Sequence, residues 1–393
     1  MNILFVLKTY TTGGLEVVTA TLANYFSSRG NNVSIVAFAK DNGSILNRID
    51  KSVHTYTLNG IACNSQNVKL LREIFQKEQV QVVINQWGLP FYPLKTAIRA
   101  SMGLNVKFIS VYHNTPDMNG RIQSVDNELA GTKNHFSRWC LKAKRLVFKT
   151  VTSYSMRWNY NHSDAYILLS HSFIPIFKKF TGISNAGHVY IQTNPVTIDH
   201  TGFEYDLNKK QKEIIFVGRL DNYQKKVNRI IDTWGLLEKK FPDWRLTIVG
   251  DGEERNNLED KVNQMQLKRV SFEGFQSPKP YYERASILML TSEFEGFPLV
   301  LAEAMSFGVI PVVYGSYAAV YDIIKDNQNG FIIQPEKGLF NKESAAKKLS
   351  QLMSDTNLRE CMAKDAVETS KRYSLDCIYD SWMAMFNQLN IEK

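Results

Sequence analysis

The sequence predicts an α/β protein of two domains, and three observations carry that reading. Short apolar runs alternate with amphipathic stretches along the chain, which is the pattern of repeated βα units. The pattern stops in a polar stretch from about Thr197 to Lys212, which includes Asn208-Lys-Lys-Gln-Lys212, and then restarts. A length of 393 residues fits about two domains.

The first domain, residues 1–196, opens with an apolar run at Ile3–Leu7. Met1-Asn-Ile-Leu-Phe-Val-Leu-Lys8 has no basic flank and no small-residue cleavage site, so it reads as a first strand rather than a secretion signal. A helix follows, with Leu15, Val18, Leu22 and Phe26 on one face. Further strands are expected at Val33–Phe38, Val82–Asn85, Lys107–Val111 and Tyr166–Leu169. The second domain, residues 197–373, offers strands at Ile214–Val217, Leu246–Val249, Val270–Phe272, Ile287–Leu290, Ile310–Val313 and Phe331–Ile333, separated by helices. Residues 374–393 form a last helix. Ser374 suits its N-cap and Asp376 its first turn, and Trp382, Met385, Phe386 and Leu389 supply its apolar face.

Composition narrows the function classes. The chain is 44% hydrophobic, enough for substantial cores. Cys63, Cys140, Cys361 and Cys377 form no Cys-x-x-Cys pair, so neither a disulfide framework nor a zinc site is expected, and a reducing compartment fits. No apolar run reaches the roughly 18 residues that a membrane-spanning helix needs. A formal charge of +9 favours anionic partners: nucleotides, phospholipid head groups or nucleic acid.

The most informative segment is Glu295-Gly-Phe-Pro-Leu-Val-Leu-Ala-Glu303, followed by Gly308 and Pro311-Val-Val313. It reads as a loop, a short helix and a buried strand. Pro298 suits the first helical turn and Gly308 the position just past the helix end. The open N-terminus around Phe297, Pro298 and Leu299 is then an anion site, with Glu295 at its mouth and Glu303 within two turns. A phosphate hole flanked by carboxylates suits a nucleotide sugar.

This spacing resembles the signature of the family 4 glycosyltransferases. Phe216-Val-Gly-Arg219-Leu, Lys225-Lys226-Val227, Leu246-Thr-Ile-Val-Gly250-Asp-Gly252, Phe272-Glu-Gly274-Phe275 and Asn329-Gly330-Phe331 add to the resemblance. One departure is Gly315-Ser-Tyr-Ala-Ala319, where many relatives have a diglycine. The resemblance implies the GT-B fold: two Rossmann-like α/β domains facing across a cleft, with the C-terminal helix crossing back to the N-terminal domain. It also implies a retaining transfer of sugar from a nucleotide diphosphate donor to an acceptor hydroxyl. The nucleotide sugar is a co-substrate, and no further cofactor is expected.

The resemblance assigns Gly218, Arg219, Lys225 and Phe275 to the donor site, together with Glu295, Phe297, Pro298, Leu299 and Glu303. Arg219 and Lys225, with Lys226 as the runner-up, would stabilise the departing diphosphate. No Asp-x-Asp occurs in the sequence, so these cations and the helix N-terminus would stand in for a metal. Glu303 would accept from the ribose hydroxyls and Glu295 would reach the transferred sugar. Gly13-Gly14, after the first strand, would let backbone approach the donor, and His113, at a strand end, would stand near the donor sugar. No Gly-x-Gly-x-x-Gly follows the first strand, which argues against a dinucleotide oxidoreductase.

From Leu129 to Ser163 there is no acidic residue, while Lys133, Arg138, Lys142, Lys144, Arg145, Lys149 and Arg157 interleave with Phe136, Trp139, Leu146, Phe148, Tyr154 and Trp158. This suits contact with an anionic membrane surface, with Trp139 and Trp158 as anchors. A helix packed on its own domain is the competing reading, and nucleic acid is the least favoured partner. The expectation is therefore a metal-independent transferase in bacterial surface polysaccharide or glycolipid synthesis. It would be cytoplasmic, at the inner face of the membrane, with a saccharide or lipid-linked saccharide as acceptor. A nucleotide-sugar epimerase, a phosphorylase or a non-catalytic sugar-nucleotide-binding subunit of the same fold remain the alternatives.

Overall fold

The computed structural model describes residues 1–39 and 43–391. The chain divides into two compact units, one of residues 1–197 with 374–393 and the other of residues 198–373. Both are built on parallel sheets, as near-continuous apolar strands joined by helices dictate.

In the first unit the strands are β1 (Asn2–Leu7), β2 (Asn32–Ala37), β3 (His54–Thr57), β4 (Val82–Asn85), β5 (Lys107–Tyr112), β6 (Ala165–Leu168) and β7 (Val189–Ile191). Their order is β3-β2-β1-β4-β5-β6-β7. Alternation along β1 sets the layers. Phe5 meets Phe26 of the helix Gly14–Ser28 at 6.2 Å between ring centroids. Leu4 and Val6 enter a core with Leu71, Phe75, Leu94 and Ala97 of the helices Ser65–Lys77 and Phe91–Ala100. The final helix, Leu375–Gln388, is capped by the Ser374 side chain, which accepts from the Cys377 N–H at 3.3 Å. It brings Tyr379, Trp382 and Phe386 onto Phe26, with Trp382 2% exposed. Burying side chains of this size contributes about 1.5–3 kcal/mol each.

In the second unit the strands are β8 (Gln211–Val217), β9 (Arg245–Val249), β10 (Val270–Gly274), β11 (Ala285–Leu290), β12 (Ile310–Tyr314) and β13 (Phe331–Ile333), in the order β10-β9-β8-β11-β12-β13. The order reverses direction between β8 and β11, as it does between β1 and β4 in the first unit. In open parallel sheets, ligands gather at the carboxyl ends of the strands beside such a switch point.

Two strands, β3 and β7, escape the sequence reading. They are the outermost strands of the first sheet. His-Thr-Tyr-Thr in β3 is mostly exposed and Val-Tyr-Ile in β7 is three residues long and half-buried, so neither presents an apolar run. Edge strands of this kind are short and polar because they need not be covered on both faces.

Candidate donor site

The site in the second unit begins where β8 ends. Gly218 (φ 152) donates its N–H to the Val249 carbonyl at 3.0 Å, and Gly250 (φ 141) lies so close that a Cβ there would sit 1.8 Å from the Gly218 oxygen. The backbones after β8 and β9 therefore touch at a point that only glycine permits.

The following loop is organised by a residue the sequence reading did not single out. The Asp221 carboxylate accepts the N–H groups of Tyr223, Gln224 and Lys225 at 3.1, 2.6 and 3.2 Å, and the Arg219 Nε–H at 3.0 Å. Burial opposes its ionisation, but the Gln224 N–H, the Arg219 guanidinium and the Lys225 N–H together hold its carboxyl below the usual range. An Asp at the start of a loop is a turn former, and that was the available signal.

The loop is fastened to the segment after β11. The Thr291 hydroxyl donates to the Lys225 and Lys226 carbonyls at 3.2 and 3.0 Å, and the Glu293 N–H donates to the Gln224 carbonyl at 2.8 Å. These ties place Lys225 Nζ 2.6 Å from Glu295 Oε1, while Gln224 Nε2 donates to Glu295 Oε2 at 3.1 Å. The two charged side chains are 15% and 9% exposed. Lys225 and Glu295, 70 residues apart in sequence, thus share one nearly buried point. Lys226 has a left-handed backbone, φ 51, and Arg219 is 69% exposed with Asp221 as its ion-pair partner. Arg219 makes no hydrogen bond to Lys225 or Glu295.

Glu295 leads into Phe297, packed edge-on against Tyr373 at 5.2 Å, and then into the helix Leu299–Ser306. Pro298 is the N-cap, extended at φ −73 and ψ 92, rather than a residue of the first turn. The helix therefore begins one residue later than expected, and its opening N–H groups belong to Leu299 and the residues after it. Gly308 (φ 69) follows the helix end as expected. Its N–H reaches the Met305 carbonyl at 2.9 Å, and the Val309 N–H reaches the Ala304 carbonyl at 3.0 Å. Glu303 is buried on this helix and accepts from the Tyr282 hydroxyl at 3.3 Å. Burial and the Glu303 carboxylate raise the Tyr282 hydroxyl well above its ordinary range. Phe275, just past β10, is 81% exposed.

In the first unit, Gly13 caps the helix Gly14–Ser28 in extended conformation, and a Cβ on it would meet Glu16 Oε2 at 2.6 Å. His113 follows β5, and its Nε2 lies 2.5 Å from Oε1 of Gln86, which follows β4. Burial pushes the His113 imidazole down to about 4, so it is neutral near pH 7 and gives its Nε2 proton to that amide oxygen. Gln86 is a second residue the sequence reading missed. The turn after an apolar strand carries no signal of its own.

The basic stretch forms the end of the helix Gly120–Gly131 and the 27-residue helix His135–Asn161. Three of its cations are committed within the protein. Arg138 donates to the Leu129 and Thr132 carbonyls, Arg145 pairs with Asp126, and Lys144 pairs with Glu128. Trp158 is not an outward anchor: it packs on Phe91 and stacks on His162. What faces outward is an apolar stripe of Phe136, Trp139, Leu146, Val147, Val151 and Tyr154. No helix among the described residues is long and apolar enough to cross a membrane.

Comparison with known proteins agrees with this architecture. Residues 12–200 match the family model described as Glycosyltransferase Family 4, and residues 197–369 match the one described as Glycosyl transferases group 1. An uncharacterized glycosyltransferase of Haemophilus influenzae is 26% identical over 96% of this chain and 97% of its own length. The GalNAc-alpha-(1->4)-GalNAc-alpha-(1->3)-diNAcBac-PP-undecaprenol alpha-1,4-N-acetyl-D-galactosaminyltransferase of Campylobacter jejuni is 26% identical over 85% of this chain and 97% of its own length. Among solved structures, HepE of Anabaena in complex with UDP-glucose superposes with a TM-score of 0.74 at 17% identity, over 98% of this chain and 99% of that one.

Proposed function

This chain belongs to the family 4 glycosyltransferases of the GT-B fold, and from that premise we propose that it transfers a sugar, with retention, from a nucleotide diphosphate donor to a hydroxyl of a bacterial surface glycan or its lipid-linked precursor. The observation that carries this reading is the meeting of Lys225 and Glu295 beside the N-terminus of Leu299–Ser306, at the switch point of the second sheet.

In the reaction, the bond between the anomeric carbon and the diphosphate oxygen breaks and its electron pair leaves with the diphosphate. A new bond forms from the acceptor oxygen to the anomeric carbon, and the hydroxyl proton leaves with the diphosphate or to solvent. Lys225 has three N–H donors and spends one on Glu295, so two remain for phosphate oxygens. With the exposed Arg219 guanidinium and the helix N-terminus, it offsets the charge that builds on the leaving group. No metal is needed for that role. Glu303 takes the ribose hydroxyls, Glu295 the transferred sugar and Phe275 the base. In the first unit, His113 keeps its Nε2 proton on Gln86, so the neutral ring has its Nδ1 lone pair left to accept from a hydroxyl.

HepE was solved with UDP-glucose, which makes a uridine donor the first choice, and the named Campylobacter relative favours an acceptor on a polyprenyl diphosphate. The outward apolar stripe, on the same helix as Lys142 and Lys149, suits reversible contact with an anionic bilayer that carries such an acceptor.

The test is turnover by the purified chain. UDP-glucose, UDP-galactose, UDP-N-acetylglucosamine and GDP-mannose are offered with lipid-linked glycans extracted from bacterial membranes, with and without chelator. A product carrying one added α-linked sugar, formed equally in chelator, supports the reading. Product only on addition of magnesium or manganese contradicts metal independence. A free or altered sugar made without acceptor points instead to an epimerase.

A further inference from the structure

Four side chains among the described residues of the second unit have a buried polar atom without a hydrogen-bond partner: Asn228 Oδ1, Trp234 Nε1, Ser292 Oγ and Tyr317 Oη. Asn228 and Trp234 stand on the helix after β8, Ser292 follows β11 and Tyr317 follows β12. Leaving such a group unpaired forfeits its solvation with nothing in return, and native proteins tolerate few. Two of these orphans are hydroxyls on adjoining loops. Ser292 is fully buried and Tyr317 is 5% exposed. The loops are tied together by the Ser316 hydroxyl, which donates to the Ser292 carbonyl at 2.6 Å.

Tyr317 also lies within electrostatic range of Glu295. Burial, and then the Glu295 carboxylate, raise its hydroxyl well above the ordinary range, so it stays a protonated donor. The two groups are not bonded to each other. Glu295 already receives Lys225 on one oxygen and Gln224 on the other, yet a carboxylate has about four lone-pair sites. A ligand group that met both would accept from the Tyr317 O–H and donate to Glu295. A phosphate cannot donate, and it would bring a like charge to the carboxylate. A sugar hydroxyl does both.

We propose that Tyr317 and Ser292 bind a hydroxyl face of the donor sugar, with Tyr317 selecting donors that carry a free hydroxyl bridging it and Glu295. The inference rests on the glycosyl-transfer reading and deepens it.

The experiment uses the full chain and its Tyr317→Phe and Ser292→Ala variants. Calorimetry measures binding of UDP, UDP-glucose, UDP-galactose and UDP-N-acetylglucosamine, and the best donor is then compared with its 3-, 4- and 6-deoxy analogues. A site built to hydrogen-bond a hydroxyl strongly rejects the analogue that lacks it. The wild type is expected to lose about 100-fold or more in affinity for one deoxy analogue. Tyr317→Phe should bind the parent donor about tenfold or more weakly, hardly discriminate against that analogue, and bind UDP unchanged. Its melting temperature should equal or exceed the wild type's, since an orphan hydroxyl is gone. Ser292→Ala should show a smaller loss on the sugar and none on UDP. Wild-type donor affinity and discrimination in Tyr317→Phe would overturn the proposal, and so would equal losses for UDP and nucleotide sugar. Binding of no nucleotide sugar by the wild type would overturn the transfer reading and this inference with it.

Discussion

Removing Lys225 tests the site most sharply, because its ammonium has two jobs. At 2.6 Å the gross attraction to Glu295 is about 6 kcal/mol at an effective dielectric constant of about 20. Desolvation of two side chains left 15% and 9% exposed offsets most of it. Fully dry pairs lose about 3–5 kcal/mol when one partner is deleted. Here Gln224 still donates to Glu295, so Lys225→Ala should cost about 2–3 kcal/mol in unfolding free energy. Lys225→Ala with Glu295→Ala should cost less than the sum of the single changes, by about 1–2 kcal/mol of coupling. Kinetics report the second job. Lys225→Ala should lower kcat by about 10²–10³ and change the KM for the nucleotide sugar much less, as for a contact that strengthens with leaving-group charge. Urea unfolding of the four proteins of the cycle and steady-state rates of nucleotide release supply the numbers. A kcat within about threefold of wild type would refute the leaving-group role. Additive stabilities would refute the pair. A normal Lys225→Ala beside a dead Lys226→Ala would move the role one residue along the loop.

Other outcomes follow from the same geometry. Glu303→Ala should weaken binding of UDP alone, whereas Glu295→Ala should spare UDP and damage sugar transfer; calorimetry with UDP and UDP-glucose would expose a reversed pattern. His113 is held at about 4 against an ordinary value near 6.5, so the unfolded chain binds more protons between those values. Its contribution to stability is complete above about pH 6.5 and is lost as pH falls toward 4, and urea midpoints should show that acid limb flattened in His113→Gln. Vesicles of anionic lipid should sediment the protein at low salt, and Lys142→Gln with Lys149→Gln should weaken binding about tenfold or more, at about 1 kcal/mol per cation. Trp139→Ser should weaken the binding that survives high salt. Arg138 and Arg145 are poor choices for that experiment, because they hold the helix to its neighbours.

How legible this was in the sequence depends on what each residue answers to. Strands buried on both faces, such as Ile214–Val217 and Ile310–Val313, announce themselves as apolar runs. The polar edges β3 and β7 do not. Glu295, Lys225 and Gly308 stand in motifs whose spacing is local and readable. Asp221, Gln224, Ser292 and Tyr317 act through contacts between loops on different strands, which no local pattern encodes. The basic stretch shows both sides. Its charge was visible, but only the fold reveals that Arg145 faces Asp126, that Trp158 faces inward, and that the outward face is apolar.

The central claim is that the loops after β8 and β11 and the start of Leu299–Ser306 hold the donor. Hydrogen exchange of the purified chain, with and without saturating UDP, reads those backbone amides directly. The account predicts slower exchange in residues 218–226 and 291–303, extending to residues 315–319 when the best-binding nucleotide sugar replaces UDP. Unchanged exchange in 218–226 and 291–303 under saturating UDP, or protection confined to residues 1–197, would contradict it.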